Sequence, residues 1–252
     1  MNEDDLLYFN ENKLSSPSPS YVAWVDMMGT RNAMSQSLAS SANHIGRIHA
    51  AIIRAKRPGL KVYPVLDGAY ITAEKQKTIM DSLKAVFTEC AKYFAAQATP
   101  EHRFLIRGGL AYGPVIHGSE INKHCNKELG EDPDYRKNLL FGMPMVQANR
   151  GEGNAPPFGM FIDESARAFG ADGKTFSGLW FKWWKDSPPV GFTKRLQEHF
   201  EWAEAHSHGI GYDEKSLKAH YKMARQYFGI QAPKSSESDP QATECAQGAS
   251  ED

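Results

Sequence analysis

The chain has 252 residues, a formal net charge of −1, 41% hydrophobic and 23% charged residues. That length buries a sizeable core, and the near-zero charge excludes a polyelectrolyte binder of nucleic acid as a whole-molecule property. Three cysteines, Cys90, Cys125 and Cys245, match no zinc spacing, and their odd number argues against a disulfide framework.

The first residues, "MNEDDLLYFNENKLSSPSPS", are acidic and then Ser/Pro-rich, so residues 1–19 read as a flexible arm rather than a signal peptide. No long apolar run marks a membrane span, and a cytoplasmic protein is expected. "YVAWVDMMG" (21–29) predicts a strand ending at glycine. Residues 31–56 predict one or two helices. "LKVYPVLDGAYITAE" (60–74) is apolar on both sides of Asp67-Gly68, a dipeptide that favours a tight hairpin turn. In residues 75–97, Ile79, Leu83, Val86, Phe87, Cys90 and Phe94 recur at helical spacing. "RFLIRGGLAYGPVIHG" (103–118) predicts two strands around "AYGP". A helix follows from about Gly142, then a strand in "FGMFIDESA". "LWFKWWKD" is read as a last strand. Two helices over 186–232 form a C-terminal extension, and residues 233–252 lack the apolar content to fold. The order β-α-β-β-α-β-β-α-β is α+β, a mixed sheet with helices on one face.

Asp26 ends the first strand and Asp67 lies in the following hairpin. Where those strands are neighbours, both carboxylates reach one end of the sheet, a hard-oxygen site suited to Mg²⁺ or Mn²⁺. Gly29 and Gly68 leave room for a phosphate. Turn chemistry alone also explains Asp67-Gly68. Asp26 is harder to dismiss, because a carboxylate inside "AWVDMM" needs a partner.

Five segments then fall in an order that resembles the class III nucleotidyl cyclases. They are "YVAWVDMMGTRNAM", "VLDGAYITA", "FLIRGGLAYGPVIHG", "FGMPMVQANR" and "GMFIDESA". The resemblance covers about residues 20–170, with the catalytic domain set at 20–185, and it implies a ferredoxin-like palm that dimerises head to tail with active sites between protomers. It implies two Mn²⁺ or Mg²⁺ ions held by Asp26, Asp67 and the Met27 carbonyl. It implies a phosphate cradle from the backbone of Met28, Gly29, Thr30 and Arg31, triphosphate binding by Arg107, and a transition-state arginine, Arg150, supplied across the dimer. The implied reaction closes a nucleoside triphosphate to its 3′,5′-cyclic monophosphate and releases pyrophosphate.

The chain departs from purine cyclases at the base-reading positions. Tyr63 stands where they carry Lys or Glu, Leu139 where they carry Asp, Thr or Cys, and Val146, beside Gln147, where they carry Asn. A tyrosine in that slot resembles the Pycsar pyrimidine cyclases of bacterial anti-phage defence. That likeness implies UTP or CTP as substrate and a product read by a separate cyclic-nucleotide-binding effector. A purine cyclase with an unusual pocket, and an inactive nucleotide-binding relative, remain alternatives. So do the plainer roles: Tyr63 as a core aromatic, Arg107 in a structural ion pair, Arg150 as a helix C-terminal cation. "LWFKWW" is read as core or dimer surface rather than a nucleic-acid stacking platform. "HSH" (206–208) is read as a solvated loop. Lys182 and Lys185 are equal candidates for the triphosphate.

Overall fold

A computed structural model of the protein describes residues 9–231. The arm's first eight residues and the tail 233–252 lie outside the described residues. The strands are β1 (Ser18–Met27), β2 (Leu60–Val65), β3 (Gly68–Ala73), β4 (Ile106–His117), β5 (Leu140–Phe141) and β6 (Met160–Ile162). The helices are α1 (Thr30–Gln36), α2 (Leu38–Arg54), α3 (Gln76–Ala96), α4 (Lys127–Glu131), α5 (Pro133–Arg136), α6 (Met143–Glu152), α7 (Glu164–Ala168), α8 (Phe192–Ala205), α9 (Ser207–Ile210) and α10 (Glu214–Phe228). The class is α+β.

Among the described residues the strands form one sheet in the order β2-β3-β1-β4-β5. These neighbours are antiparallel, and β6 joins β4 in parallel. Alternation along β1 builds two faces. Tyr21, Ala23, Val25 and Met27 enter the main core with α2, α3, α8 and α10. Val22 and Trp24 point the other way, into a smaller cluster with Tyr63, Ala111, Val115, Leu140 and Ala148. Helix α6 lies on this second face. It comes so close that a Cβ on Gly109 would sit 2.0 Å from the Ala148 carbonyl oxygen.

Five sequence expectations are corrected. The segment 103–118 is one strand, not two. β1 pairs with β4 without a break from Ser18↔Val115 to Met27↔Ile106, and Pro19 lies opposite Pro114. Two prolines facing each other need a pair without mutual hydrogen bonds. Their missing N–H groups then point to the outer sides, where β3, β5 and β6 do not reach at that level. The hairpin loop is centred on Leu66-Asp67, one residue earlier than expected, because Gly68 already pairs with Val65 as strand. Leu66 therefore takes a left-handed φ of 50°. "LWFKWWKD" is not a strand; it makes a single bridge, Trp180 to Phe161. Its aromatics fill the core edge instead, and Trp183 Nε1 donates to the Phe158 carbonyl at 2.7 Å. The helices are not confined to one face, since α6 covers the second.

The C-terminal extension holds three helices rather than two, because the short α9 starts at Ser207, within the segment 206–208 expected to be a loop. Phe192, Leu196, Phe200 and Ala203 of α8, with Leu217 and Ala224 of α10, are buried in the same core as β1 and α3.

Candidate active site

The site begins with the end of β1. Asp26 continues the second-face alternation of Val22 and Trp24, and it pairs in register with Arg107 at the start of β4. Its Oδ1 accepts from the Met27 N–H at 2.9 Å. The β2–β3 hairpin brings Asp67 alongside. Gly68 allows this approach, because a Cβ there would stand 2.4 Å from the Val25 carbonyl oxygen and 2.9 Å from Asp26 Oδ1. After Met28 the chain turns at Gly29 with a left-handed φ of 75° and enters α1. The turn delivers the Thr30 hydroxyl to the Met27 carbonyl oxygen at 3.1 Å and to Asp67 Oδ2.

The inventory of these atoms is informative. Two carboxylates and one carbonyl offer acceptors only, and a hydroxyl with a single hydrogen serves two of them. Among the described residues neither aspartate forms an ion pair. Arg107, the register partner of Asp26, turns Nε to the Glu152 carboxylate and Nη1 to His220 Nε2, the latter at 3.2 Å. Burial, then the charges of Asp67 and Glu152, push the Asp26 carboxyl up to about 7. Such a pair of carboxylates gains from a bound cation, which would favour the ionised form. No group of three or more His, Cys, Asp or Glu side chains suited to a metal occurs among the described residues. Asp26, Asp67 and the Met27 carbonyl nevertheless fit Mg²⁺ or Mn²⁺, which keep waters and use one or two carboxylates plus substrate phosphates.

The remaining predicted residues divide. Met28, Gly29, Thr30 and Arg31 adjoin the carboxylates, with the Arg31 side chain exposed. Tyr63 lies two residues along the same face, in a row that runs Tyr63↔Tyr70, Tyr70↔Trp24, Trp24↔Gly109 across four strands. It is only 4% exposed. Its hydroxyl meets His117 Nδ1 at 2.6 Å, and burial raises it to about 12. Arg150 is exposed in the last turn of α6 and is not in contact with the carboxylates of its own chain. Val146 and Gln147 are half-buried on that helix. Lys182 and Lys185 are both exposed, and Lys182 lies 5.4 Å from the Trp184 ring centre.

Sequence reasoning missed Glu152, His117, His220 and Tyr212. Each is a single polar residue on a helix or strand, and only the fold brings them to Arg107 or Tyr63. Tyr212 Oη lies 2.5 Å from His220 Nδ1.

No family model matches the chain, and no curated protein matches it. Solved structures similar to it include the monomeric guanylyl cyclase domain of the RhoGC fusion protein from the aquatic fungus Blastocladiella emersonii. That overlap has 16% identity, 61% of this chain, 83% of that chain and a TM-score of 0.42. An adenylate/guanylate cyclase/hydrolase from Silicibacter pomeroyi overlaps at 16% identity, 59% of this chain, 77% of that one and a TM-score of 0.43. A bacterial light-regulated adenylyl cyclase overlaps at 14% identity, 60% of this chain, 46% of that one and a TM-score of 0.43.

Proposed function

We propose that the protein is a nucleotidyl cyclase that converts UTP or CTP to the 3′,5′-cyclic monophosphate and pyrophosphate. The observation that carries the reading is the pair Asp26 and Asp67, which converge with the Met27 carbonyl and form no ion pair among the described residues.

Asp26, Asp67 and the Met27 carbonyl would hold two divalent ions, which when bound supply charge neutralisation at the triphosphate and a more acidic 3′ hydroxyl. The chain's own residues do the positioning. The glycine turn at Gly29 leaves the backbone of Met28–Arg31 open to phosphate oxygens. Arg107, at the neighbouring strand start, offers a fork of donors to the same phosphates. Catalysis is then mainly orientation and electrostatic stabilisation of an in-line attack. Arg150, exposed on α6, would serve the site of a second copy in a head-to-tail homodimer. Phe141 and Met143, exposed beside it, would be covered there.

The pyrimidine assignment follows from Tyr63. Its phenol stands on the carboxylate face, next to Tyr70 and Trp24, and leaves less room for a base than a lysine would. The hydrogen bond to His117 fixes the ring. A cyclic pyrimidine nucleotide would act as a signal for a separate effector with a cyclic-nucleotide-binding domain in anti-phage defence. An adjacent gene encoding such an effector would support that role.

The test is product analysis. Purified protein with Mn²⁺ and each of the four common nucleoside triphosphates should form a cyclic product from UTP or CTP. Product from ATP or GTP instead would overturn the pyrimidine reading, and no cyclic product at all would overturn the activity.

A further inference from the structure

The C-terminal helices reach the site. Tyr212 and His220 lie on and just before α10, far from Arg107 in sequence, yet His220 Nε2 is 3.2 Å from Arg107 Nη1 and Tyr212 Oη is 2.5 Å from His220 Nδ1. The direction of this chain follows from chemistry. Arginine has no acceptor, so Nη1 donates and Nε2 accepts. A neutral ring then carries its proton on Nδ1, which donates to Tyr212 Oη. Burial, then the charge of Arg107, hold the His220 imidazole down at about 4, so the ring is neutral across the physiological range. Glu152 of α6 takes Arg107 Nε from the other layer. Arg107 is thus gripped between α6 and α10 at the end of the sheet.

The same C-terminal segment also braces α1, the helix that follows the glycine turn. Gln36 Nε2 donates to the Gly209 carbonyl at 2.8 Å, and Asn32 Nδ2 donates to the Gly211 carbonyl. A cavity of about 610 Å³ is lined here by Met28, Gly29, Asn32, Arg107, Tyr212 and His220. A guanidinium beside such a space swings freely unless something holds it.

We propose that Tyr212 and His220 are positioning residues of the triphosphate site: α10 aims Arg107, and the C-terminal segment is part of the catalytic unit rather than an appendage. This rests on the reading of Arg107 as the triphosphate-binding arginine. Neither residue touches substrate; both act through Arg107.

A double-mutant cycle tests it. His220→Ala should raise the KM for the nucleoside triphosphate by about tenfold or more, the scale of a hydrogen bond to a charged group, with a smaller change in kcat. His220→Gln, whose Oε1 can accept from Arg107, should recover most of that loss. Tyr212→Phe removes the acceptor for Nδ1–H and should give a smaller rise. In an Arg107→Ala background, His220→Ala should add nothing. Calorimetric nucleotide affinities of the same proteins give a readout independent of turnover, and melting temperatures report folding. An equal effect of His220→Ala with and without Arg107, or a His220→Gln protein as impaired as His220→Ala, would overturn the positioning role. If His220→Ala fails to fold, the Gln and Phe variants decide it. Failure of the wild type to turn over any nucleotide would instead count against the activity; the affinities would still test the grip on Arg107, and absence of nucleotide binding would overturn both.

Discussion

The two faces of the sheet obey one alternation rule and end up with opposite characters. On the first, Tyr21, Ala23, Val25 and Met27 meet α2, α3, α8 and α10 in a continuous apolar core. On the second, Val22 and Trp24 begin a small apolar cluster, but the next residue in step is Asp26, whose register partner on β4 is Arg107. The first face exists to be buried. The second ends in polar groups: among the described residues Asp26 and Asp67 form no ion pair, and α6 leaves Arg150 exposed. The difference teaches where to look for chemistry in a fold of this kind, on the face whose polar groups remain uncompensated.

The comparison is sharpest where it is easiest to break. On the second face, Asp26→Ala or Asp67→Ala should reduce cyclic-nucleotide formation by at least about a hundredfold, as loss of a preorganised electrostatic group does. Far-UV circular dichroism should be unchanged. Retained turnover would remove the assignment. On the first face, Phe87→Ala should lower unfolding free energy by about 3–5 kcal/mol, the usual cost of emptying a buried aromatic site, measured by urea denaturation.

A pH series separates the faces more finely. The Asp26 carboxyl is raised from the ordinary carboxylate range to about 7 by burial, then by Asp67 and Glu152. A raised carboxyl contributes stability that is fully present below its unfolded value and lost as pH climbs through the folded one. Without divalent ions the protein should therefore lose stability between about pH 4 and pH 7, and Asp26→Asn should remove that loss. Added Mn²⁺ favours the ionised form, so its stabilising effect should grow across the same window. A metal effect that is flat with pH would contradict the assignment.

The smallest effect belongs to the hairpin. Leu66 is 90% exposed with a left-handed φ of 50°, a conformation that costs a side chain about 1–2 kcal/mol. Leu66→Gly relieves that strain but loosens the unfolded chain. The net gain in stability should be about 1 kcal/mol or less, read from thermal melts.

How far the sequence led depends on how local each feature is. β1, the β2–β3 hairpin and α3 were readable because alternation, a turn dipeptide and helical spacing are near-neighbour signals. Asp26 and Asp67 were readable for the same reason, since each closes such a pattern. β4 misled because "AYGP" carries turn residues, and only the pairing of Pro114 with Pro19 explains how a strand tolerates them. The aromatic run 179–184 misled because a buried strand and a core-filling loop share one composition. Glu152, His117 and His220 were silent: their roles are contacts across 45 to 113 residues of chain, which no local pattern encodes, and Tyr212 matters only through His220.

Titration of Mn²⁺ by calorimetry at pH 6, in two buffers of different ionisation enthalpy, tests most directly the proposal that Asp26 and Asp67 hold a divalent cation on the second face. The wild type should bind Mn²⁺ with release of protons, because Asp26 is still largely protonated there, and both the binding and the proton release should disappear in Asp26→Asn. Equal Mn²⁺ binding by the wild type and Asp26→Asn, with no buffer dependence in either, would contradict the account.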